Sequence, residues 1–121
     1  MKNLEQNAEI QLIETLKRLV RTAVLYAKQA HDYAMPDKAN IPAAIAYLQR
    51  ASCKMSAAEA LYWAQYEVLA RQEAEDIFQK FDEFADELVE DFATNHSQQW
   101  TDIQFNELMK VVNDSAFALQ N

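Results

Sequence analysis

The chain has 121 residues, half of them apolar and a quarter charged, which excludes a disordered segment and suits one globular domain over 1–121. It holds no glycine, so P-loops and glycine-rich dinucleotide fingerprints are excluded, and tight hairpins lose the residue that takes positive φ at least cost. A net charge of −8 argues against direct binding to nucleic acid or an anionic membrane, and the single cysteine, Cys53, excludes an internal disulfide and a thiolate zinc cluster.

Strong helix formers are abundant and apolar residues recur every three or four positions, which predicts an all-α fold. The expected architecture is an antiparallel four-helix bundle with long first and third helices. The first helix is expected over 4–34. Ile13, Leu16, Val20, Ala23, Ala27, Ala30 and Ala34 alternate at spacings of three and four, and Leu12, Leu19, Tyr26 and Tyr33 widen that stripe. Pro36 should stop this helix, and Met35 to Asn40 reads as a turn. Asn40 as N-cap and Pro42 in the first turn open a second helix over 41–54, which buries Ile45, Leu48 and Met55.

Ser56 and Glu59 have capping-box spacing, so a third helix is expected over 57–94. Ala60, Trp63, Ala70, Ala74, Ile77, Phe81, Phe84, Leu88 and Phe92 mark its seam, interrupted at Glu67, and a break near Arg71–Asp76 fits the pattern. A loop over Asn95–Gln99 follows. Thr101 and Gln104 form a second capping box, with Trp100 and Phe105 as a hydrophobic staple. A fourth helix is expected over 102–119, burying Phe105, Leu108, Met109, Val112 and Ala116.

Charge is unevenly spread. Residues 1–60 carry eight bases and six acids, whereas residues 61–121 carry three bases and thirteen acids. Between Phe81 and Met109 there is no Lys or Arg. Asp82, Glu83, Asp86, Glu87, Glu90 and Asp91 lie largely opposite the phenylalanines of the same helix. Like charges at i, i+4 repel by a few tenths of a kcal/mol each, so such a face suits a basic partner, either another protein or Lys17, Arg18, Arg21 and Lys28 of the first helix. The segment Leu61 to Tyr66 is apolar on nearly every side. It points to a central helix or to a homodimer interface at Tyr62, Trp63, Tyr66 and Arg71.

Glu73/Asp76 and Glu83/Asp86 are ExxD pairs. They resemble the acidic pairs of all-α nucleoside-triphosphate pyrophosphohydrolases of the MazG type. That resemblance implies Mg²⁺ or Mn²⁺ held by Glu83, Asp86, Glu87 and Glu90, but a clean paired-glutamate element before ExxD is missing. His31 and His96 have no Glu three residues before them, which argues against a di-iron site, and structural or surface roles are expected for both. The expected function is therefore non-enzymatic: a protein–protein interaction module that inhibits a basic partner or serves an immunity or phage accessory role. The alternatives are the metal-dependent hydrolase and a purely structural homo-oligomer. No run approaches a membrane span and MKNLEQNAE has no apolar h-region, so a cytoplasmic location is expected.

Overall fold

The computed structural model describes residues 2–35, 40–94 and 98–119. The chain is all-α: among these residues there are five helices and no strand. They are α1 (Lys2–Ala34), α2 (Ile41–Ala64), α3 (Tyr66–Leu69), α4 (Gln72–Thr94) and α5 (Gln98–Asn113). Pro36 to Ala39 of the expected turn, and His96 of the expected loop, lie outside the described residues. No described helix is long and apolar enough to cross a membrane.

Helix α1 buries the stripe its spacing predicts: Leu16, Val20, Ala23, Ala27, Ala30 and Ala34 are all in the core. The alanines let α2 come close. Tyr47 of α2 lies against Tyr26 and is stacked on Tyr33 with centroids 5.6 Å apart. Asn40 caps α2 as expected, accepting from the Ala43 N–H at 3.1 Å, and Pro42 sits in the first turn.

The break expected at Ser56 does not occur. Helix α2 passes through it to Ala64. Its buried residues explain why: Ala44, Leu48, Ala51, Met55, Ala58 and Tyr62 alternate at spacings of four and three, one unbroken seam. A cap at Ser56 would end that seam before Ala58 and Tyr62 could pack, so tertiary packing overrides the local signal. Ile45, expected in the core, lies beside this seam and is 40% exposed.

The chain breaks later, between Ala64 and Gln72. Gln65 leaves helical geometry, α3 makes a single turn, and Ala70 is extended at φ −51°, ψ 118°. The expected helix over 57–94 is thus divided at Gln65 and again at Ala70–Arg71, the second gap reaching the start of the expected Arg71–Asp76 break. The corner is held by Tyr62, whose hydroxyl donates to Glu75 Oε2 at 2.6 Å and accepts from the Arg71 N–H at 3.0 Å. The corner also buries Leu69. Beyond it α4 buries Ala74, Ile77, Phe78, Phe81, Phe84 and Leu88.

Helix α5 starts at Gln98, earlier than the expected 102, and ends at Asn113 rather than 119. Thr101 is therefore inside the helix and fully buried, with no partner for its hydroxyl, so it is not an N-cap. Trp100 is exposed, and Phe105 stacks on His31 at 4.1 Å instead of closing a staple. The early end has a local cause. The Ser115 hydroxyl donates to the Val112 carbonyl at 2.7 Å and accepts from the Phe117 N–H at 3.0 Å, offering the backbone an alternative to another helical turn. The turn drives Phe117 fully into the core and leaves Ala116 exposed.

Candidate functional site

The acidic run lies on α4 as its periodicity requires. Asp82, Asp86 and Glu90, one helical turn apart, are exposed, while Glu83, Glu87 and Asp91 are half-buried beside them. Lys80 spans to α5: its Nζ lies 3.3 Å from Glu83 Oε2 and 3.3 Å from Glu107 Oε2. These two hydrogen-bonded carboxylates hold the Lys80 ammonium above its ordinary pKa.

A residue that sequence reasoning did not place in the site joins this face from α2. Partial burial raises the Glu59 carboxyl above its ordinary value, and the negative charge of Asp82 raises it further. Asp82 is raised by partial burial and then by Asp86. Glu59, Asp82 and Asp86 thus form a two-helix cluster of mutual repulsion. The signal for Glu59 was its i−3 relation to Tyr62 on the seam, masked by its apparent role in a capping box.

The bases of α1 do not gather as one counter-surface. Lys17 pairs with Glu14 on its own helix at 3.9 Å, and Arg21 turns to the Ala116 carbonyl at 3.4 Å, where Glu73 Oε2 accepts the Ala116 N–H at 3.0 Å. Arg18 and Lys28 are exposed.

The four aromatic-segment residues separate. Tyr62 is fully buried and Arg71 is half-buried, with its Nε donating to the Leu69 carbonyl at 3.3 Å. Trp63 is 56% exposed and Tyr66 45% exposed, and their rings stack 5.3 Å apart at 14°. Both stand edge-on to the buried Tyr62 ring, at 4.9 and 5.6 Å, so the surface pair rests on a core side chain.

Two grooves flank these features. Ile45, Leu48, Gln49, Val89, Phe92 and Ala93 line an apolar groove of about 370 Å³ between α2 and α4. Its rim residues Ile45 and Val89 are 40% and 53% exposed. The other groove, between α4 and α5, is polar and is lined by Glu73, Asp76, Lys80, Glu107, Lys110 and Asp114 among others. Four carboxylates there face two lysines, so this groove keeps a net negative charge.

His31, for which a structural or surface role is expected, lies in the last turn of α1 and reaches α5: its Nε2 lies 2.7 Å from Asp102 Oδ1. The ring is sandwiched against Phe105 and meets Phe84 edge-on. The contact locks α1 to α5. Cys53 is exposed. Among the described residues no group of three or more His, Cys, Asp or Glu side chains is placed to hold a metal ion, the set Glu83, Asp86, Glu87 and Glu90 included. No family model, no curated protein and no solved structure matches the chain.

Proposed function

We propose that the chain is a non-enzymatic interaction protein whose acidic face engages a basic surface of another protein. The observation that carries this is the Glu59–Asp82–Asp86 cluster, in which partial burial raises Glu59 and Asp82, and the charges of Asp82 and Asp86 respectively raise them further. The raised carboxyls mean that the folded state holds these charges first against partial burial and then against repulsion, and a cation brought to the face offsets the repulsion. The physics suits an inhibitor or immunity-type protein whose partner normally meets phosphates. Reversing Asp82, Asp86 and Glu90 to Lys should abolish capture of the partner that the wild-type chain retains. Retention of the same partner would reduce the face to a solvated surface.

A second reading, self-association, is favoured by Trp63 and Tyr66. A stacked, half-exposed aromatic pair on a rigid corner is the composition of an interface hot spot. We place a homodimer contact there. Light scattering of Trp63→Ser/Tyr66→Ser against wild type tests it, with a monomeric wild type as the contrary result. We further read the four long helices as an antiparallel bundle with α3 as a corner. Support comes from paired contacts whose numbers rise on one helix as they fall on the other: Glu59 with Asp82 and Tyr62 with Glu75 across α2 and α4, Glu73 with Ala116 and Phe84 with Phe105 across α4 and the α5 end. A cytoplasmic location remains part of this proposal.

A further inference from the structure

Helices α2 and α4 leave a seam on the surface that the core does not account for. Along α2, Ile41, Ile45, Ser52, Ser56, Glu59 and Trp63 follow one another at spacings of three, four and seven, which places them on a single stripe. None of the six is fully buried. Across the seam, α4 offers Asp82, Asp86, Val89 and Ala93 at the same spacings, all exposed. The seam therefore has a graded chemistry. One end is the apolar groove with Ile45 and Val89 at its rim and Leu48 and Phe92 in its wall. The middle is acidic, with Glu59, Asp82 and Asp86. From Ile45 to Glu59 the stripe spans four turns, about 21 Å at 1.5 Å per residue.

A core-forming purpose does not explain exposed Ile45 and Val89, since the α2 seam already buries Leu48, Ala51 and Met55 beside them. Charge complementarity identifies what covers the seam. A second copy related by a two-fold axis through the Glu59–Asp82–Asp86 middle, unlike one meeting at the Trp63 end, would lay these carboxylates against their own image in a chain of net charge −8, which is repulsive. A cationic occupant is attracted. The groove between two packed helices fits a third helix, which presents apolar anchors at i and i+4 and cations on its flank.

We propose that the α2–α4 seam is the docking site for an amphipathic helix of the partner protein, its apolar residues seated over Ile45 and Val89 and its Lys or Arg residues against Glu59, Asp82 and Asp86. This deepens the acidic-face reading and rests on it. The partner is then recognised by one helical segment rather than by diffuse charge.

The test uses the full chain and a fluorescein-labelled 18-residue synthetic helix, with leucines at i, i+4 spacing on one face and lysines flanking them. A scrambled peptide of the same composition is the control. Fluorescence anisotropy should show saturable binding that the scrambled peptide weakens at least tenfold. Val89→Asp and, separately, Asp82→Lys/Asp86→Lys should each weaken it at least tenfold, with helix content by circular dichroism unchanged. Binding indifferent to scrambling and to Val89→Asp, yet lost on charge reversal, would overturn the docking helix while leaving the acidic-face reading standing. Absence of saturable binding would also overturn the docking helix, and the acidic-face reading would then be judged on partner capture alone. A wild-type dimer in sedimentation that Val89→Asp dissociates would overturn the proposal in favour of a second copy on the seam.

Discussion

The Tyr62 hydroxyl, at the last turn of α2, donates to Glu75 Oε2 in the first turn of α4 and so ties the two helices together across the single turn of α3. Burial, then the Glu75 hydrogen bond, pushes the Tyr62 phenol up to about 12. A raised folded value means that the contribution of Tyr62 to stability is full below its ordinary value of 10.0 and is lost as pH rises through about 12. Tyr62→Phe should cost about 1.5–3 kcal/mol at neutral pH, because a hydrogen bond to a charged group is lost. Urea unfolding of the two proteins should show that gap closing between pH 10 and pH 12. A gap constant to pH 12 would show that the hydroxyl does not hold the corner.

Glu59 and Asp82 give an opposite behaviour to ordinary acid denaturation. Their folded carboxyls are raised, so their contribution is most favourable below the ordinary values of 4.5 and 3.8 and is lost as pH rises through the raised values. Asp82→Asn should therefore raise the melting temperature at pH 7, with the gain fading as pH falls towards 4. A variant less stable than wild type at pH 7 would mean that Asp82 is paired favourably rather than repelled.

The two capping signals of α2 should respond differently. Asn40→Ala removes an observed cap and should cost about 1 kcal/mol. Ser56→Ala lies at an exposed position inside the helix, where Ala is the better former, and should be neutral or stabilising by a few tenths of a kcal/mol. Equal losses in both variants would restore a helix start at Ser56.

Thr101 offers the same contrast in α5. A buried hydroxyl without a partner is costly, on the order of 1–3 kcal/mol, so Thr101→Val should stabilise the chain. Destabilisation of about 1 kcal/mol would instead be the signature of a lost N-cap.

These cases show where periodicity sufficed and where it did not. The α1 stripe, the phenylalanine side of α4 and the Asn40–Pro42 start were readable because spacing and cap chemistry agreed. Ser56 carries cap-like spacing that loses to the seam of Leu48, Ala51, Met55, Ala58 and Tyr62 running past it, and Thr101 loses its cap role because α5 already begins at Gln98. The pattern pointed to a break near the corner but not to what holds it, since that depends on Tyr62 reaching Arg71 and Glu75. The same long-range placement hid Glu59 within the acidic face and set His31 against Asp102. For the site, the exposure of Asp82, Asp86 and Glu90 followed from the helical wheel, whereas the split between buried Tyr62 and exposed Trp63 and Tyr66 needed the fold.

The most direct test of the acidic-face account is salt-dependent capture of a partner by wild type, by Asp82→Lys/Asp86→Lys/Glu90→Lys, and by Arg18→Glu/Lys28→Glu on the α1 side. The account predicts a partner retained by wild type and by the α1 variant, weakened as ionic strength rises, and lost on reversal of the α4 carboxylates. A partner held equally by all three proteins, or one lost only on changing Arg18 and Lys28, would contradict it.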